Sequence, residues 1–518
     1  MKMKKPNIVF ILTDDQGYWS LGCAGNKEIR TPNIDGLADR GIRFENFFCA
    51  SPVCSPARAS LLTGRIPSQH GILDWLRVGN GDSKNDSTKI DYLEGMTGYT
   101  DLLNQNGYIC GQSGKWHMGC TGQPQKGYSH WFTTTGGSGT YLDAPAYRGT
   151  ERIQTEGYLT DVITDDALSF IDECCDKHVG QPFYLNLAYT APHSPHVDQH
   201  KEEYVKYYYD NCTFSDVRQD PRSAWSLKHP IDIQYSETFC SKNREYLTMR
   251  DLLSGYYAAV QGVDDGVGRI LAKLEERGIR DNTLVVYMSD NGFSCGQHGI
   301  WGKGNCTTPL NLFDTCVKVP CIFSYPGHIK EGVVSTSLMS AYDFMPTLLD
   351  LVEIENPEAE GLPGRSFADT LFTGRENNYH ESIMVYDEYG PARMVRTKEW
   401  KYIHRYPEGP NELYDLVHDP NELFNLLNEN RYFYYGPKFI EEKAAEMKKE
   451  MEKWFDTYAD PERDGKGEPV FGRGQLCKLA PGAHGTDAFY PMVQVEYVRD
   501  DKKRKSENDE NIVVGCGF

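Results

Sequence analysis

The sequence predicts an α/β fold: a large mixed, mostly parallel sheet flanked by helices, then a smaller C-terminal α+β domain of antiparallel sheet plus helix. Three observations predict it. Short apolar runs alternate with helix-like stretches over most of the 518 residues. These runs are apolar on both faces, as strands covered by helices on each side must be. After about Gly374 the texture changes to shorter segments followed by one long amphipathic stretch, which divides the chain into 1–375 and 376–518.

In chain order, Asn7–Thr13, Ile109–Gln112, Phe183–Ala188, Leu284–Ser289 and Val319–Ser324 read as strands. Between them Val267, Ile270, Leu271 and Leu274 fall at helical spacing, and Gly278 ends that helix. Thr100–Asn106 and Tyr342–Val352 are further helices. Residues 196–247 break the rhythm, with Tyr204, Tyr207, Tyr208, Tyr209, Trp225 and Tyr235 among charges and prolines, as in a half-buried insertion or a wall of a substrate cleft. In the second domain, Met384–Tyr386, Arg393–Arg396 and Lys401–Tyr406 read as antiparallel strands. The helix after them carries Ile440, Ala444, Met447, Met451, Trp454, Phe455 and Tyr458 on one face. The charge-dense run Arg499–Asn511 is a solvated tail.

Composition narrows the function classes. With 39% hydrophobic and 25% charged residues, a chain of this length buries a large core without disulfides. The 54 Lys and Arg against 74 Asp and Glu give a charge of −20, which disfavours nucleic acid and anionic membranes as partners. The N-terminal apolar run Ile8–Leu12 stops at Asp14-Asp15, too short for a signal peptide, and no run reaches the ~20 residues of a membrane span. Fifteen scattered cysteines, an odd count, fit reduced thiols in a cytoplasm.

Asp14 and Asp15 follow the first strand at its carboxyl end, where open α/β sheets place their ligands. Adjacent carboxylates repel each other unless a cation lies between them. Asp290-Asn291 follows Leu284–Ser289 in the same way, so two strand ends can converge on one hard cation, Ca²⁺ or Mg²⁺ rather than zinc.

The segment Cys54-Ser55-Pro56-Ala57-Arg58, continued by Ala59–Arg65, resembles the C-x-P-x-R element of type I sulfatases, the arylsulfatase-like branch of the alkaline phosphatase superfamily. Other elements resemble that family in its order. They are Pro6–Gln16, Gly114–Gly119 (GKWHMG), Ala191–His196 (APHSPH), Asp290-Asn291-Gly292 with Gln297-His298-Gly299 and Gly302-Lys303-Gly304, and Leu413–Leu416 with Asp419–Glu422. The resemblance spans about residues 6–427.

The resemblance implies a sulfuric ester hydrolase in which Cys54 is oxidised to formylglycine by a maturation enzyme. The hydrated aldehyde supplies the nucleophile, and its second hydroxyl later expels sulfate. By position, Asp14, Asp15, Asp290, Asn291 and residue 54 would hold one Ca²⁺. Arg58 would stabilise the formylglycine, Lys115 and Lys303 would bind sulfate oxygens, His117 would contact the diol and His193 would protonate the leaving group. Such a set suits the chemistry, since a sulfate monoester needs its oxygens neutralised, a strong nucleophile and an acid for the departing alkoxide. His196 and His298 stand between substrate contact and loop packing, and Ser138 is a further hydroxyl for sulfate. Asp314 and Lys318 stand where many relatives carry a different string, which leaves their roles open.

The expected substrate is a small sulfate ester, with sulfated sugars favoured because loops and an aromatic insertion suit a glycan. Two other functions remain: a phosphodiesterase or phosphonate monoester hydrolase on the same scaffold, and a catalytically silent sulfated-glycan binding protein. A pure binder has little need of the complete set of acidic and basic residues.

Overall fold

Asn7–Thr13 carries five consecutive large apolar residues, Ile8 to Leu12, a run stable as a short strand only if both of its faces are covered. The computed structural model describes residues 5–80, 88–227, 248–387, 391–428, 435–467 and 474–479, and in it this segment is β1, at the middle of a ten-stranded sheet. Ile8, Phe10 and Leu12 enter one core, while Val9 and Ile11 enter the other. That is the period-two alternation of a pleated strand.

The remaining strands are β2 (Ile42–Phe48), β3 (Ile109–Gly114), β4 (Tyr128–Thr134), β5 (Pro145–Arg148), β6 (Glu151–Gln154), β7 (Phe183–Ala188), β8 (Thr283–Ser289), β9 (Ser294–Cys295), β10 (Trp301–Gly302), β11 (Cys321–Ser324), β12 (Val333–Ser340), β13 (Ile383–Tyr386), β14 (Ala392–Arg396), β15 (Trp400–Arg405) and β16 (Glu412–Asp415). The large sheet has the order β12-β2-β11-β8-β1-β7-β3-β4-β5-β6. Its four central neighbours β8, β1, β7 and β3 are all parallel, with Phe10 opposite Val286 on one side and Asn186 on the other. β11 runs against β2 and β8, which makes the sheet mixed. It starts at Cys321 rather than at the expected Val319, whose amide bonds the Phe47 carbonyl instead.

The helix read from Val267 to Leu274 is the last part of a 28-residue helix, Met249–Glu276. It opens on a capping box, in which Thr248 Oγ1 accepts from Asp251 N and Asp251 Oδ2 accepts from Thr248 N. Its first half escaped the periodicity because Asp251–Asp264 is buried on every side and shows no polar stripe. The other two helices lie close to expectation, at Tyr99–Gln105 and Phe344–Leu351. None of the helices among the described residues is long and apolar enough to cross a membrane.

Within 196–247, Tyr204, Tyr207, Tyr208 and Tyr209 lie on the helix Glu202–Asn211. Tyr208 is buried against Tyr257 while Tyr207 and Tyr209 are exposed, so this part is a half-buried insertion. Trp225 lies under the Arg405 guanidinium, 5.0 Å from ring centroid to carbon, and Tyr235 lies outside the described residues.

The antiparallel sheet β13-β14-β15-β16 is covered by the helix Pro437–Tyr458, which buries Ile440, Met447, Met451 and Phe455. Ala444, Trp454 and Tyr458 of the expected stripe are only partly covered. A buried charge cluster joins this sheet to the larger one. Asp314 lies 3.1 Å from Arg396 Nη2 and 3.0 Å from Lys401 Nζ, and Lys401 also reaches Glu422 at 2.5 Å. Lys318 stands over the Tyr18 ring at 4.4 Å. The run Arg499–Asn511 lies outside the described residues.

Candidate active site

Four adjacent parallel strands end at one place, and each hands on chemistry there. β1 leads into Asp14-Asp15, β8 into Asp290-Asn291, β3 into Lys115, and β7 into the loop that carries His193. Gly114 makes the turn out of β3 possible. It has φ +107°, and a Cβ on it would lie 1.9 Å from the Ala188 carbonyl oxygen, so only glycine lets the Lys115 amide bond that oxygen at 2.7 Å.

Cys54 is the first residue of the helix Cys54–Thr63, so its side chain lies at the positive end of the helix dipole. Arg58, four residues on, shares its face. The Cys54 Sγ lies 3.1 Å from Asp14 Oδ1 and 2.8 Å from Lys303 Nζ. Burial and the neighbouring Asp14 push its thiol well above the ordinary value, so the unmodified thiol stays protonated.

The charged side chains interlock. Arg58 Nε donates to Asp290 Oδ2 at 2.8 Å and Nη1 donates to the Lys115 carbonyl at 3.1 Å. Lys303 Nζ lies 2.6 Å from Asp15 Oδ1, and Lys115 Nζ is paired with Asp14 Oδ2. Asp290 Oδ1 accepts from the amides of Asp15 and Asn291, while Asn291 Nδ2 donates to Asp15 Oδ1 at 2.8 Å. Burial alone would raise the Asp14 carboxyl, but Lys115, His193, Arg58 and Lys303 outweigh it and hold the group far below the usual range. Burial and the charge of Asp14 push Asp290 up to about 7. The two carboxylates therefore titrate as a pair.

The two histidines commit different nitrogens to backbone carbonyls. His117 Nε2 donates to the Leu76 carbonyl at 3.2 Å, so its proton is on Nε2 and Nδ1 is left as a lone pair. Burial and Lys115 keep this ring neutral, well below the ordinary histidine value. His193 Nδ1 donates to the Ser194 carbonyl at 2.8 Å, which turns Nε2 toward Asp15 Oδ2 at 3.5 Å. Burial lowers its pKa although Asp15 and Asp14 pull the other way. Asp15 and His117 both adopt the left-handed backbone region, at φ +62° and +55°, a strain of about 1–3 kcal/mol each that surrounding structure sustains.

A cation fits this donor set. Asp15 Oδ2 and Asn291 Oδ1 are buried without a hydrogen-bond partner, and an all-oxygen group of Asp14, Asp15, Asp290 and Asn291 suits a hard ion. Among the described residues, Asp14, Asp15, Cys54 and His193 each offer a potential ligand atom within 4.8 Å of the others. Asp290 and Asn291 join it through their bonds to Asp15.

Ten sequence-predicted residues thus converge here: Asp14, Asp15, Cys54, Arg58, Lys115, His117, His193, Asp290, Asn291 and Lys303, all buried. His196 and His298 stand apart. His196 Nε2 bonds the Pro192 carbonyl, and its ring packs among Tyr256, Phe293 and Trp301. His298 stacks on Phe313 at 3.8 Å, and its amide bonds Asp220. Ser138 is exposed, and it is its neighbour Gly137 that meets the site, where a Cβ would fall 2.1 Å from His117 Cε1. Asp314 and Lys318 belong to the joint between the sheets.

Several supporting residues carry no sequence signal, because they act on main-chain atoms. Tyr256 donates to the Asp15 carbonyl at 3.0 Å, Tyr141 to the His193 carbonyl at 2.6 Å, and Asn311 to the carbonyls of Lys303 and Gly304.

Comparison with known proteins identifies the family. The Sulfatase family matches residues 6–354, and the C-terminal region of N-sulphoglucosamine sulphohydrolase matches residues 296–454. N-acetylglucosamine-6-O-sulfatase of Bacteroides thetaiotaomicron is 28% identical over 90% of this chain and 89% of its own. Arylsulfatase of Clostridium perfringens is 27% identical over 90% of this chain and 98% of its own. The solved structure of BT4656 in complex with its substrate D-glucosamine-2-N,6-O-disulfate superposes with a TM-score of 0.72 at 25% identity, covering 89% of this chain and all of that one. The chain belongs to the sulfatase family, as a type I member of the alkaline phosphatase superfamily, and is a sulfuric ester hydrolase.

Proposed function

We propose that this sulfatase releases inorganic sulfate from a sulfated sugar, using a formylglycine made from Cys54 and one Ca²⁺. The observation that carries the reading is the placement of Cys54 Sγ between Asp14 Oδ1 at 3.1 Å and Lys303 Nζ at 2.8 Å, at a helix N-terminus and beside buried oxygens that lack partners. Asp14, Asp15, Asp290, Asn291 and residue 54 would hold the ion, which supplies positive charge to sulfate oxygens. The aldehyde, when formed and hydrated, supplies the attacking hydroxyl.

The chain's own residues do the rest. Lys115 and Lys303 carry ammonium groups to neutralise the sulfate oxygens. Arg58 holds residue 54 in register through its bonds to Asp290 and the Lys115 carbonyl. In this reading His117, whose Nδ1 has no partner, accepts a proton from a hydroxyl at residue 54, and His193 Nε2, its positive charge supported by Asp15, delivers one to the leaving alkoxide. A sugar as the alcohol rests on the relatives named for N-acetylglucosamine 6-sulfate and bound to a glucosamine disulfate. A reducing, cytoplasmic setting is part of the proposal and rests on free thiols such as those of Cys49, Cys110, Cys174, Cys295 and Cys321.

The test pairs peptide mass analysis with a screen of defined sulfated mono- and disaccharides, N-acetylglucosamine 6-sulfate among them. Active protein should carry CHO in place of CH₂SH at residue 54, and Cys54→Ala should abolish turnover without loss of fold. Full activity with an unmodified thiol would reject the mechanism. Faster turnover of an aryl phosphate diester than of any sulfate ester would reject the substrate class.

A further inference from the structure

The loop Gly71–Val78 follows the short helix Pro67–His70, and it is tied to the site by both backbone polar atoms of one residue, Leu76. The Leu76 amide donates to Ser55 Oγ at 3.2 Å, and the Leu76 carbonyl accepts from His117 Nε2 at 3.2 Å. The second bond sets the His117 tautomer. Apart from isolated bridges at Leu76 and Asn80, this stretch has no ladder of its own.

What holds it comes from some 400 residues later in the chain. Gln475 is fully buried and pairs with Leu76 as a parallel bridge: its amide donates to the Trp75 carbonyl at 2.8 Å and its carbonyl accepts from Arg77 N at 3.1 Å. Its side chain works in both directions. Oε1 accepts from Leu73 N, and Nε2 donates to the Gly71 carbonyl, each at 2.9 Å. The Gly474 amide adds a bond to Asp74 Oδ2 at 2.5 Å. These residues lie beyond 454, the last position matched by either family region.

We propose that Gln475 is a positioning residue for the sulfatase reaction: it fixes the Gly71–Val78 loop so that the Leu76 carbonyl holds His117 in its Nε2–H form, with Nδ1 free to take a proton at residue 54. The inference rests on the reading of His117 given above. Without Gln475 the amide of Leu73 and the carbonyl of Gly71 lose their partners in a water-poor place. The loop then moves, and Leu76 moves with it.

The experiment compares Gln475→Ala with Leu479→Ala, which trims a buried apolar side chain of the same segment. Gln475→Ala should lower kcat by about 10²-fold with KM nearly unchanged. Formylglycine and calcium content should match the wild type. In ¹⁵N-histidine-labelled protein, the His117 resonance, assigned by its loss in His117→Ala, should change from the pure Nε2–H pattern to a mixture. Leu479→Ala should lower the melting temperature but leave kcat and the His117 pattern alone. Should Gln475→Ala not fold, Gln475→Met, which keeps the side-chain length and removes both side-chain hydrogen bonds, makes the same comparison. An unchanged His117 pattern in the Gln475 variant overturns the proposal, as do equal losses of kcat in both variants. A wild type that turns over no sulfate ester instead overturns the functional reading, and the resonance still reports on Gln475.

Discussion

Arg58 Nε donates to Asp290 Oδ2 across 2.8 Å, so one buried ion pair fastens the helix that begins at Cys54 to the end of β8. A second bond, from Nη1 to the Lys115 carbonyl, extends the brace to the end of β3. A lysine carries the same charge but has no fork to make both bonds. Arg58→Lys should therefore lower kcat on any sulfate ester by about 10²-fold, a loss of geometry rather than of charge. Steady-state kinetics check it, and a variant with near wild-type kcat would show that the brace is dispensable.

Asp290→Ala removes one oxygen of the proposed ion set and leaves Arg58 without its partner. Metal content, measured on the purified variant, should fall together with the rate. An active wild type that contains no divalent ion, or a zinc held by thiolates, would contradict the assignment.

His193→Ala separates substrates by their leaving groups. A phenolate departs without help, whereas a sugar alkoxide needs a proton, and general acid catalysis is worth about 10²–10⁴-fold. Turnover of a sulfated sugar should fall by that factor and turnover of an activated aryl sulfate by far less. Lys115→Ala and Lys303→Ala should depress both alike, since each is proposed to hold the sulfate common to them. Equal losses for His193→Ala would move the acid role to another residue.

The charge cluster between the two sheets gives a stability test away from the chemistry. Burial alone would raise the Asp314 carboxyl, but Arg396, Lys401 and Lys318 outweigh burial and hold it well below the ordinary carboxylate value. A depressed carboxyl stabilises the fold above the unfolded value of about 4, and that contribution is lost as the pH falls below it. Asp314→Ala leaves the buried Arg396 without its carboxylate and Lys401 with Glu422 alone, and should cost about 3–5 kcal/mol near neutral pH. The gap between variant and wild type in denaturant melts should narrow as the pH drops below about 4.

The ligand-bearing strand ends were legible in the sequence because each pairs a short apolar run with an acidic or basic residue directly after it, as in Leu12-Thr13-Asp14-Asp15 and Met288-Ser289-Asp290-Asn291. The motif order then named nearly the whole cluster. Residues such as Tyr256, Tyr141 and Asn311 stayed hidden, because they bond carbonyl oxygens of other loops and any local pattern leaves such pairings open. Strand β2 escaped for a related reason. Its residues Ile42–Glu45 alternate apolar and polar side chains, but Asn46-Phe47-Phe48 breaks the pattern, and its pairing with β12 and β11 leaves no local mark. The histidines that failed to join the cluster, His196 and His298, sit in motifs that serve as well to pack a loop as to hold a substrate.

The central strand order also sets a clock. β1 is flanked by β7 and β8, whose residues are made long after its own, and Cys54 ends up only 2% exposed beneath a loop that delivers Lys303. Roughly 250 residues separate Cys54 from Lys303, so at about 5–20 residues per second the ribosome needs about 12–50 s to supply the other side of the site. Throughout that interval Cys54 lacks the cover that Lys303 and its loop supply. The proposed conversion of this thiol would then work against synthesis time, and a slower-translating stretch between β7 and β8 should raise the fraction of chains converted.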